Sequence, residues 1–412
     1  MGPSMAERRA DRSPNARRLR RRYLRVARGT RDGGAQAGPP TGSGRVVVIG
    51  ATVGQGHEGA ARELSRRLSL HGVDVATYDY LDAVPAAARR VLRDLYAPTV
   101  QHAPAVFDGV FRALEHPGTV RRVTEGICTS AEPAILRWSA GADVVVSTYP
   151  LGGRTLGELR RSGRLGATAV TYLTDPAAHA LWCHPDVDLH LTVTRATARD
   201  AGRYGVHAVA SGPLCAPGFR EQVDRAGARP GVRADLALPP DVPVALLSAG
   251  SLGMGDVPRT IDAILHHPTA CVLVLCGRND VLRRRLGGDP RVTALGWRDD
   301  VPDLMTAADV LVHNAGGLSL TEALVAGLPA VTYLPIPGHG RANATVLQES
   351  GLAPWPRDPA ALAAAIDRAH RTRVVGAGPG ALSLWPAGAD PVDAVRAVLG
   401  PPDPDERSVV GL

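Results

Sequence analysis

Residues 313–324 read HNAGGLSLTEAL. An apolar run ends at His313, two glycines follow at positions 316 and 317, and a helical pattern begins directly after them. Glycines let the backbone come close to a ligand. The first N–H groups of a helix have no partner within the helix, so they suit the charge of a diphosphate. This strand–turn–helix pattern therefore predicts a nucleotide-binding α/β fold.

Side chains in the same stretch can bind the rest of a nucleotide. Hydroxyl groups can bond phosphate oxygens, and a carboxylate in the first helical turn can accept two hydrogen bonds from ribose hydroxyls. A second flexible loop, residues 250–255, can contact the phosphates from the opposite side. The predicted donor-binding residues of these two loops are Gly250, Ser251, Gly316, Gly317, Leu318, Ser319, Thr321 and Glu322.

Short β-branched runs alternate with helical stretches on both sides of this motif, which indicates mostly parallel sheets covered by helices. The predicted strands of the first half are Val46–Gly50, Val73–Tyr78, Val144–Thr148, Ala169–Leu173, Leu189–Thr194 and Ala208–Ala210. Those of the second half are Val244–Ser248, Cys271–Cys276, Val292–Leu295, Val310–His313 and Ala330–Leu334.

Each half starts with an apolar strand and a glycine-rich turn, and a segment rich in proline and arginine separates the halves. The sequence therefore predicts an α/β protein of two Rossmann-like domains with a ligand cleft between them. The predicted boundaries are a basic disordered arm over 1–44, a first Rossmann-like domain over 45–218, a linker over 219–241, a second, nucleotide-binding Rossmann-like domain over 242–380, and a tail with a short helix over 381–412.

The first glycine-rich turn, residues 54–59, reads GQGHEG. With Asp79 closing the next strand, it also fits a dinucleotide-binding fingerprint, in which the acid would bind a ribose. His57 favours another interpretation. An imidazole in the first turn meets the positive end of the helix dipole, which keeps it neutral and suited to act as a general base. Gly54 and Gly56 would then lie beside the acceptor, the substrate from which His57 takes a proton.

Asp175, His179, Trp182 and His184 follow the strand that ends near Leu173. They could form a metal site, but Pro176 and Pro185 interrupt the segment, so no helix places both histidines on one face. A substrate loop at the carboxyl end of the strand is the preferred interpretation. We therefore expect His179, Trp182 and His184 to bind the acceptor, and no metal ion.

Residues 85–125 are predicted to be helical, with large apolar side chains between arginines. These side chains either cover the first sheet or form a surface that touches lipid, and the spacing does not separate the two. The aromatic residues that would contact a lipid acceptor are Tyr96, Phe107 and Phe111.

All 47 basic residues are arginine, and 11 of them lie in residues 1–44 against three acids, a balance of +8. Since the whole chain carries +7, residues 45–412 carry −1. The arm is either a solvated tail or a tether to anionic lipid. No apolar run is long enough to span a bilayer or follows the arginines as a signal peptide would, and the five cysteines form no C-x-x-C pair. We expect a cytoplasmic protein, peripheral on the membrane face, that does not bind nucleic acid.

Several blocks in order resemble the GT-B-fold glycosyltransferase family that contains monogalactosyldiacylglycerol synthase and the processive diacylglycerol glucosyltransferases, with a more distant likeness to the lipid II-forming N-acetylglucosaminyl transferase. The resemblance runs from about residue 46 to about residue 365. Its blocks are residues 54–57, 174–188, 211–214, 276–279, 296–305, 316–324 and 335–344.

The resemblance implies inverting transfer of a sugar from a UDP-sugar to a lipid hydroxyl, with no cofactor and no metal ion. It implies an acceptor-binding role for the first domain and a nucleotide-sugar-binding role for the second. It implies that His57 is the base and that Asp175 assists it. It places the uracil base against Gly296, Trp297 and Arg298, and the donor sugar near His339 and Asn343. The family usually has a polar pair such as Gln-Glu after Pro-Gly. This chain has His339-Gly340 there, so the identity of the sugar stays open.

Two other functions are compatible with these residues. The first is a transferase of the same fold that acts on a soluble natural product. The second is a nucleotide-binding module without catalytic activity.

Overall fold

A computed structural model of the chain describes residues 18–19, 44–221, 227–251, 253–286, 288–374, 385–386 and 388–399. The predicted lipid tether of the basic arm and most of the predicted tail lie outside these ranges. Within them, no helix is long and apolar enough to cross a bilayer.

The first half contains a parallel sheet of six strands in the order β2-β1-β3-β4-β5-β6. All six predicted strands are confirmed. Their bounds are β1 Arg45–Gly50, β2 Asp74–Asp79, β3 Val144–Ser147, β4 Thr168–Leu173, β5 Leu189–Thr192 and β6 Ala208–Ala210.

Helices cover both faces of this sheet because its central strands, such as β3 with four buried residues in succession, are apolar on both sides. The helices are α1 Gln55–Leu70, α2 Ala86–Asp94, α3 Tyr96–His102, α4 Pro104–Leu114, α5 Thr119–Trp138, α6 Pro150–Arg161 and α7 Arg195–Ala201. Short 3₁₀ turns occupy Tyr80–Asp82 and Gly202–Tyr204.

The second half contains a parallel sheet of five strands in the order β11-β10-β7-β8-β9. The predicted strands are confirmed here too, as β7 Val244–Ser248, β8 Cys271–Leu275, β9 Val292–Leu295, β10 Val310–His313 and β11 Ala330–Thr332. Its helices are α10 Val257–Leu265, α11 Asp280–Arg285, α12 Val301–Ala307, α13 Gly317–Val325, α14 His339–Glu349 and α15 Pro359–Val374.

Two connections join the halves. The first contains helices α8, Gly218–Glu221, and α9, Arg229–Asp235, and its Phe219 is buried in the core of the second half. The second brings the predicted tail helix, α16 Pro391–Leu399, back to the first half, where Val392 and Val395 pack in the core beside β1 and β3. Both connections are therefore anchored by side chains buried in a core of one half.

The halves meet along the carboxyl ends of their strands. Asp108 of α4 accepts a hydrogen bond from the N–H of Gly338 at 2.9 Å. Asn343 of α14 accepts one from the N–H of Ala177 at 2.9 Å and donates to the carbonyl of Ala315 at 3.0 Å. The site described next lies within this interface.

Candidate active site

A cavity of about 160 Å³ lies between the carboxyl ends of the two sheets. We call it the His57 cavity. It brings together most of the residues predicted to act in the site, from both halves of the chain. Those that line it are Gly54, Gly56, His57, Tyr96, Asp175, Gly250, Ser251, Gly316, Gly317, Leu318, Ser319 and His339.

His57 stands in the first turn of α1 and is held from the sheet behind it. Its Nδ1 lies 2.8 Å from the carbonyl oxygen of Thr148 and 3.0 Å from Oγ1 of Thr174. A carbonyl oxygen only accepts hydrogen bonds, so Nδ1 carries the proton and donates it. In the neutral ring, Nε2 therefore keeps its lone pair, as a general base requires.

The pKa of His57 lies below its ordinary value, as the sequence predicts, but burial is the main cause. Desolvation disfavours the charged ring, while the charge of Asp175 and the bond to Thr148 act in the opposite direction. The imidazole is therefore neutral at pH 7 because it is enclosed, and the end of α1 is not needed to explain the shift.

Asp175 follows β4 and faces three histidines. Burial by itself would raise the pKa of this carboxyl, but the charges of His57, His339 and His179 lower it, and the pKa lies below its usual range. The indole N–H of Trp182 donates to Oδ2 of Asp175 at 3.0 Å. Asp175 can therefore stabilise a positive charge that develops on His57 when it accepts a proton.

Helix α13 begins in the cavity without a side-chain cap. Its first N–H groups are therefore unpaired by helix geometry and available to an anion. A Cβ added at Gly317 would lie 2.4 Å from the carbonyl oxygen of Thr174, so only glycine permits this approach of the halves. The hydroxyl of Ser319 lies 2.9 Å from that of Ser248 on β7.

Six predicted donor-binding residues do not line the cavity: Thr321, Glu322, Asn343 and the three residues of the base-binding segment. Glu322 is half-buried one turn further along α13, and burial raises the pKa of its carboxyl to about 8. The Thr321 hydroxyl donates to the carbonyl of Gly317 at 2.9 Å, within its own helix. Asn343 is fully buried, and its amide is used in one hydrogen bond to Ala177 of the first half and one to Ala315 of its own half.

The predicted base-binding segment, Gly296 to Arg298, follows β9 at the same end of the sheet as the cavity but does not line it. Trp297 is 46% exposed, and the guanidinium of Arg278 lies over its ring at 4.5 Å. Arg298 Nε donates to Asp300 at 2.6 Å. An exposed ring beside an arginine leaves a face on which a nucleobase can stack.

The three aromatic residues predicted to face lipid contact the second half instead. Tyr96, Phe107 and Phe111 surround the imidazole of His339, with ring centroids 6.3, 5.8 and 6.0 Å away. The phenol oxygen of Tyr96 lies 3.4 Å from Nε2 of His339. A Cβ added at Gly338 would lie 2.9 Å from Cβ of Phe111 and 3.1 Å from Cε1 of Phe107, so glycine at this position lets both residues pack against the second half.

The predicted acceptor residues after Asp175 are buried. Trp182 is fully enclosed and its ring lies 5.8 Å from that of His57, while His179 packs between Phe111 and Trp182. Burial lowers the pKa of His179 to about 4. The structure does not bring His184 to the cavity: its Nε2 lies 3.2 Å from Glu158 of α6, and a Cβ at Gly157 would overlap its ring.

The dinucleotide interpretation of residues 54–59 fits the structure poorly. The carboxylate of Asp79 is occupied by the hydroxyl of Thr52 at 2.6 Å and the N–H of Leu81 at 2.9 Å. Gly56 and Gly59 lie against Leu318 of the second half. In the described ranges, no group of three histidine, cysteine or acidic side chains is arranged to hold a metal ion.

Sequence reasoning missed the residues that join the halves and those that orient the imidazole of His57. Thr148 and Thr174 lie at strand ends, which is the one sign of their role in the sequence. Asp108 carries no such sign, because its partner Gly338 is 230 residues away along the chain. Only the folded structure shows a contact of this kind.

Family models match both halves of the chain. The model described as Monogalactosyldiacylglycerol (MGDG) synthase matches residues 57–210, and the model described as Glycosyl transferases group 1 matches residues 252–372. A processive diacylglycerol beta-glucosyltransferase of Bacillus licheniformis is 26% identical over 219 residues, which are 51% of this chain and 56% of that protein. The match thus spans about half the length of that relative.

Solved structures resemble the whole fold at low sequence identity. MurG of Acinetobacter baumannii has a TM-score of 0.55 at 16% identity, over 87% of this chain and 99% of that one. UGT89C1 of Arabidopsis thaliana, solved in complex with UDP, has a TM-score of 0.53 at 12% identity, over 86% and 98%. At such low sequence identities the similarity shows only the fold, in which two sheets lie around a cleft.

Proposed function

Since the chain belongs to the GT-B-fold glycosyltransferase family of monogalactosyldiacylglycerol synthase and its relatives, we propose that it transfers a hexose from a UDP-sugar to the hydroxyl of a diacylglycerol-like lipid. The transfer inverts the sugar and uses no resident metal ion or cofactor. The observation that carries the proposal is that a neutral histidine and the bare start of α13 line one cavity between the halves.

In the proposed reaction, the UDP diphosphate lies on the first N–H groups of α13 and the sugar lies between them and His57. The acceptor hydroxyl attacks C1 of the sugar from the face opposite UDP, and Nε2 of His57 takes the hydroxyl proton. The bond between C1 and the diphosphate oxygen breaks, and UDP leaves with the electron pair. The helix start stabilises that charge, in the role that a metal ion has in other transferases.

The cavity must widen to admit a donor. Its volume of about 160 Å³ lies below the roughly 300–1,000 Å³ of small-molecule pockets. The close approach of Gly317 to Thr174 indicates a closed arrangement of the halves. We infer that the halves part to bind UDP-sugar and close again over it, which excludes water from the reacting atoms.

A lipid acceptor is supported by a surface on α2 to α5. Large apolar side chains are exposed there beside arginines of the same helices, a combination that suits an anionic bilayer. The exposed residues are Val91, Leu95, Val106, Val110 and Val123. On this basis we propose that the protein is peripheral on a membrane, with the basic arm as a second contact. The relative from Bacillus licheniformis, named as acting on diacylglycerol, supports the same class of acceptor.

The decisive test replaces His57 by Ala and measures hexose transfer from UDP-glucose and UDP-galactose to dioctanoylglycerol. We expect the rate to fall about 100- to 10,000-fold while UDP affinity is retained, because the base is lost and the diphosphate site is intact. Unchanged transfer would exclude the catalytic role of His57. Transfer to soluble aglycones alone, without binding to lipid vesicles, would support the natural-product alternative.

A further inference from the structure

A second, larger cleft lies on the far side of Ile336 from the His57 cavity. Its volume is about 810 Å³, within the roughly 300–1,000 Å³ range typical of ligand pockets. It is formed by α3 and the start of α4 from the first half and by loops around α10, α14 and α15 from the second half. Ile336 lines both cavities. We call this space the proline cleft.

Most residues that line the proline cleft are apolar, and five of them are prolines. Proline has a fixed φ angle, so a wall built from prolines keeps its shape without a ligand. Trp355 adds a half-buried aromatic face. The prolines that line the cleft are Pro104, Pro258, Pro335, Pro337 and Pro356. A preformed cleft with an apolar part of this kind suits a hydrocarbon chain, because little conformational entropy is lost in ordering its proline walls.

Three arginines stand at the rim of the cleft. The side chains of Arg259 and Arg341 are 71% and 60% exposed and pair with Asp256 at 3.4 Å and Asp108 at 3.7 Å. Arg357 lies 3.3 Å from the centre of the Trp355 ring. Guanidinium groups at the mouth of the cleft can bind the phosphates of neighbouring bilayer lipids and so hold the cleft against the membrane surface.

The cleft borders the exposed apolar surface on one side and the His57 cavity on the other. Pro104 begins α4, and Val106 and Val110 on that helix are 59% and 41% exposed. On the inner side, Ile336 lines both cavities, and its side chain is closely packed. A Cβ added at Gly340 would lie 2.5 Å from Cγ1 of Ile336, and one at Gly255 would lie 3.6 Å from Cγ2.

We propose that the proline cleft binds the acyl part of the glycerolipid acceptor, which enters from the bilayer beside α4. The free hydroxyl of the lipid then reaches His57 past the side chain of Ile336. The identification of the occupant as the acceptor rests on the proposed function. That the cleft is a site for a lipid chain does not depend on it.

Lipid entry is tested first by fluorescence, without any turnover. The probe is a diacylglycerol with short brominated chains, below its aggregation concentration, added to the full chain and to a Trp355→Phe variant. Bromine quenches indole emission at contact, so we expect the full chain to lose more emission than the variant. Equal quenching of the two proteins would overturn the proposal.

The second test narrows the cleft and measures transfer. Gln101 of α3 lines the cleft and is exposed, whereas its exposed neighbour His102 does not line it. We expect Gln101→Trp to raise KM for dioctanoylglycerol about tenfold, or ~1.4 kcal/mol of binding, with UDP affinity unchanged. His102→Trp should behave as the unaltered chain.

The outcomes separate this inference from the proposed function. Equal KM values for the Gln101→Trp and His102→Trp variants would overturn the cleft as the acceptor site. Quenching of Trp355 without any hexose transfer would support the cleft as a lipid site and contradict the proposed transferase activity.

Discussion

At the scale of single residues, the sugar end of the donor site is built by both halves. Gly340 has no room for a side chain because Ile336 fills that space, so the polar pair expected from the family is absent. Tyr96 and His339 both line the cavity, and their 3.4 Å contact is long for a hydrogen bond. Both groups are therefore available to a sugar hydroxyl.

We predict that Tyr96→Phe weakens binding of the preferred UDP-sugar relative to UDP by about 0.5–1.5 kcal/mol, the net value of one hydrogen bond. Calorimetric titration with UDP, UDP-glucose, UDP-galactose and UDP-glucuronic acid measures the difference. Tyr78→Phe, whose ring stacks on Trp138 away from the cavity, is the matched control. If the ratio of the two affinities is the same in both variants, Tyr96 does not contact the sugar.

A second residue-scale prediction concerns Glu322, whose pKa of about 8 means that the carboxyl is mostly protonated at pH 7. Glu322→Ala should reduce UDP affinity by about 1–3 kcal/mol, because ribose hydroxyls lose a partner. Glu322→Gln should retain most of the affinity, since a neutral amide resembles a protonated carboxyl. Equal UDP binding by all three proteins would remove Glu322 from the donor site.

At the scale of elements, the start of α13 combines two requirements. It must present bare N–H groups, and it must lie against the first half. Neighbouring glycines differ in the second respect. A Cβ on Gly317 would overlap the Thr174 carbonyl at 2.4 Å, whereas a Cβ on Gly316, with φ near −68°, meets no atom within 4 Å.

We therefore predict that Gly317→Ala prevents closure of the halves and reduces kcat at least tenfold, while Gly316→Ala has a much smaller effect. A tenfold loss corresponds to ~1.4 kcal/mol. Small-angle scattering with and without UDP measures closure, and steady-state kinetics measures kcat. Similar kinetics for the two variants would mean that contact between α13 and Thr174 is not needed for the reaction.

At the scale of the whole molecule, buried histidines set the dependence of stability on pH. Burial lowers the pKa of His179 and His313 to about 4 and that of His190 to about 3. In the unfolded chain these groups bind protons near pH 6.5, while in the folded chain they stay neutral. The free energy of unfolding should therefore fall as pH falls below 6.5.

Glu322 has the opposite effect on the free energy of unfolding. Its raised pKa lets the folded chain hold one proton that the unfolded chain releases, so this residue stabilises the fold as pH falls. The histidines outnumber it, so we predict a net loss of stability between pH 6.5 and 5. Thermal unfolding across this range measures it. His190→Leu, which removes one buried imidazole, should flatten the curve by up to about 1.4 kcal/mol per pH unit. A curve of unchanged slope would contradict the prediction.

The fold was largely predictable from the sequence, and the contacts between its halves were not. All eleven strands are where the apolar runs predict them, because hydrophobic periodicity and glycine turns are local signals. The helices of residues 85–125 were predicted as elements. The direction in which their apolar side chains point was not predicted. A helix face that packs on the second half and one that meets lipid have the same spacing of apolar residues.

The candidate site divides in the same way. His57, the glycines at 316 and 317 and the helix start after them were found from short motifs, since a helix N-terminus and a glycine turn have the same chemistry in any protein. The sequence also suggested His184 for the acceptor, yet its imidazole bonds Glu158 inside the first half. Proximity along the chain did not determine which side of the sheet that ring occupies.

The sequence alone determined that two parallel sheets form and that each ends in a glycine-rich turn before a helix, because backbone preferences and apolar patterning act over a few residues. The tertiary structure decided that Asp108 holds Gly338, that Tyr96 meets His339, and that Ile336 separates two cavities. These contacts join segments that are hundreds of residues or several loops apart. Their energies depend on how two domains pack, and no local pattern encodes that geometry.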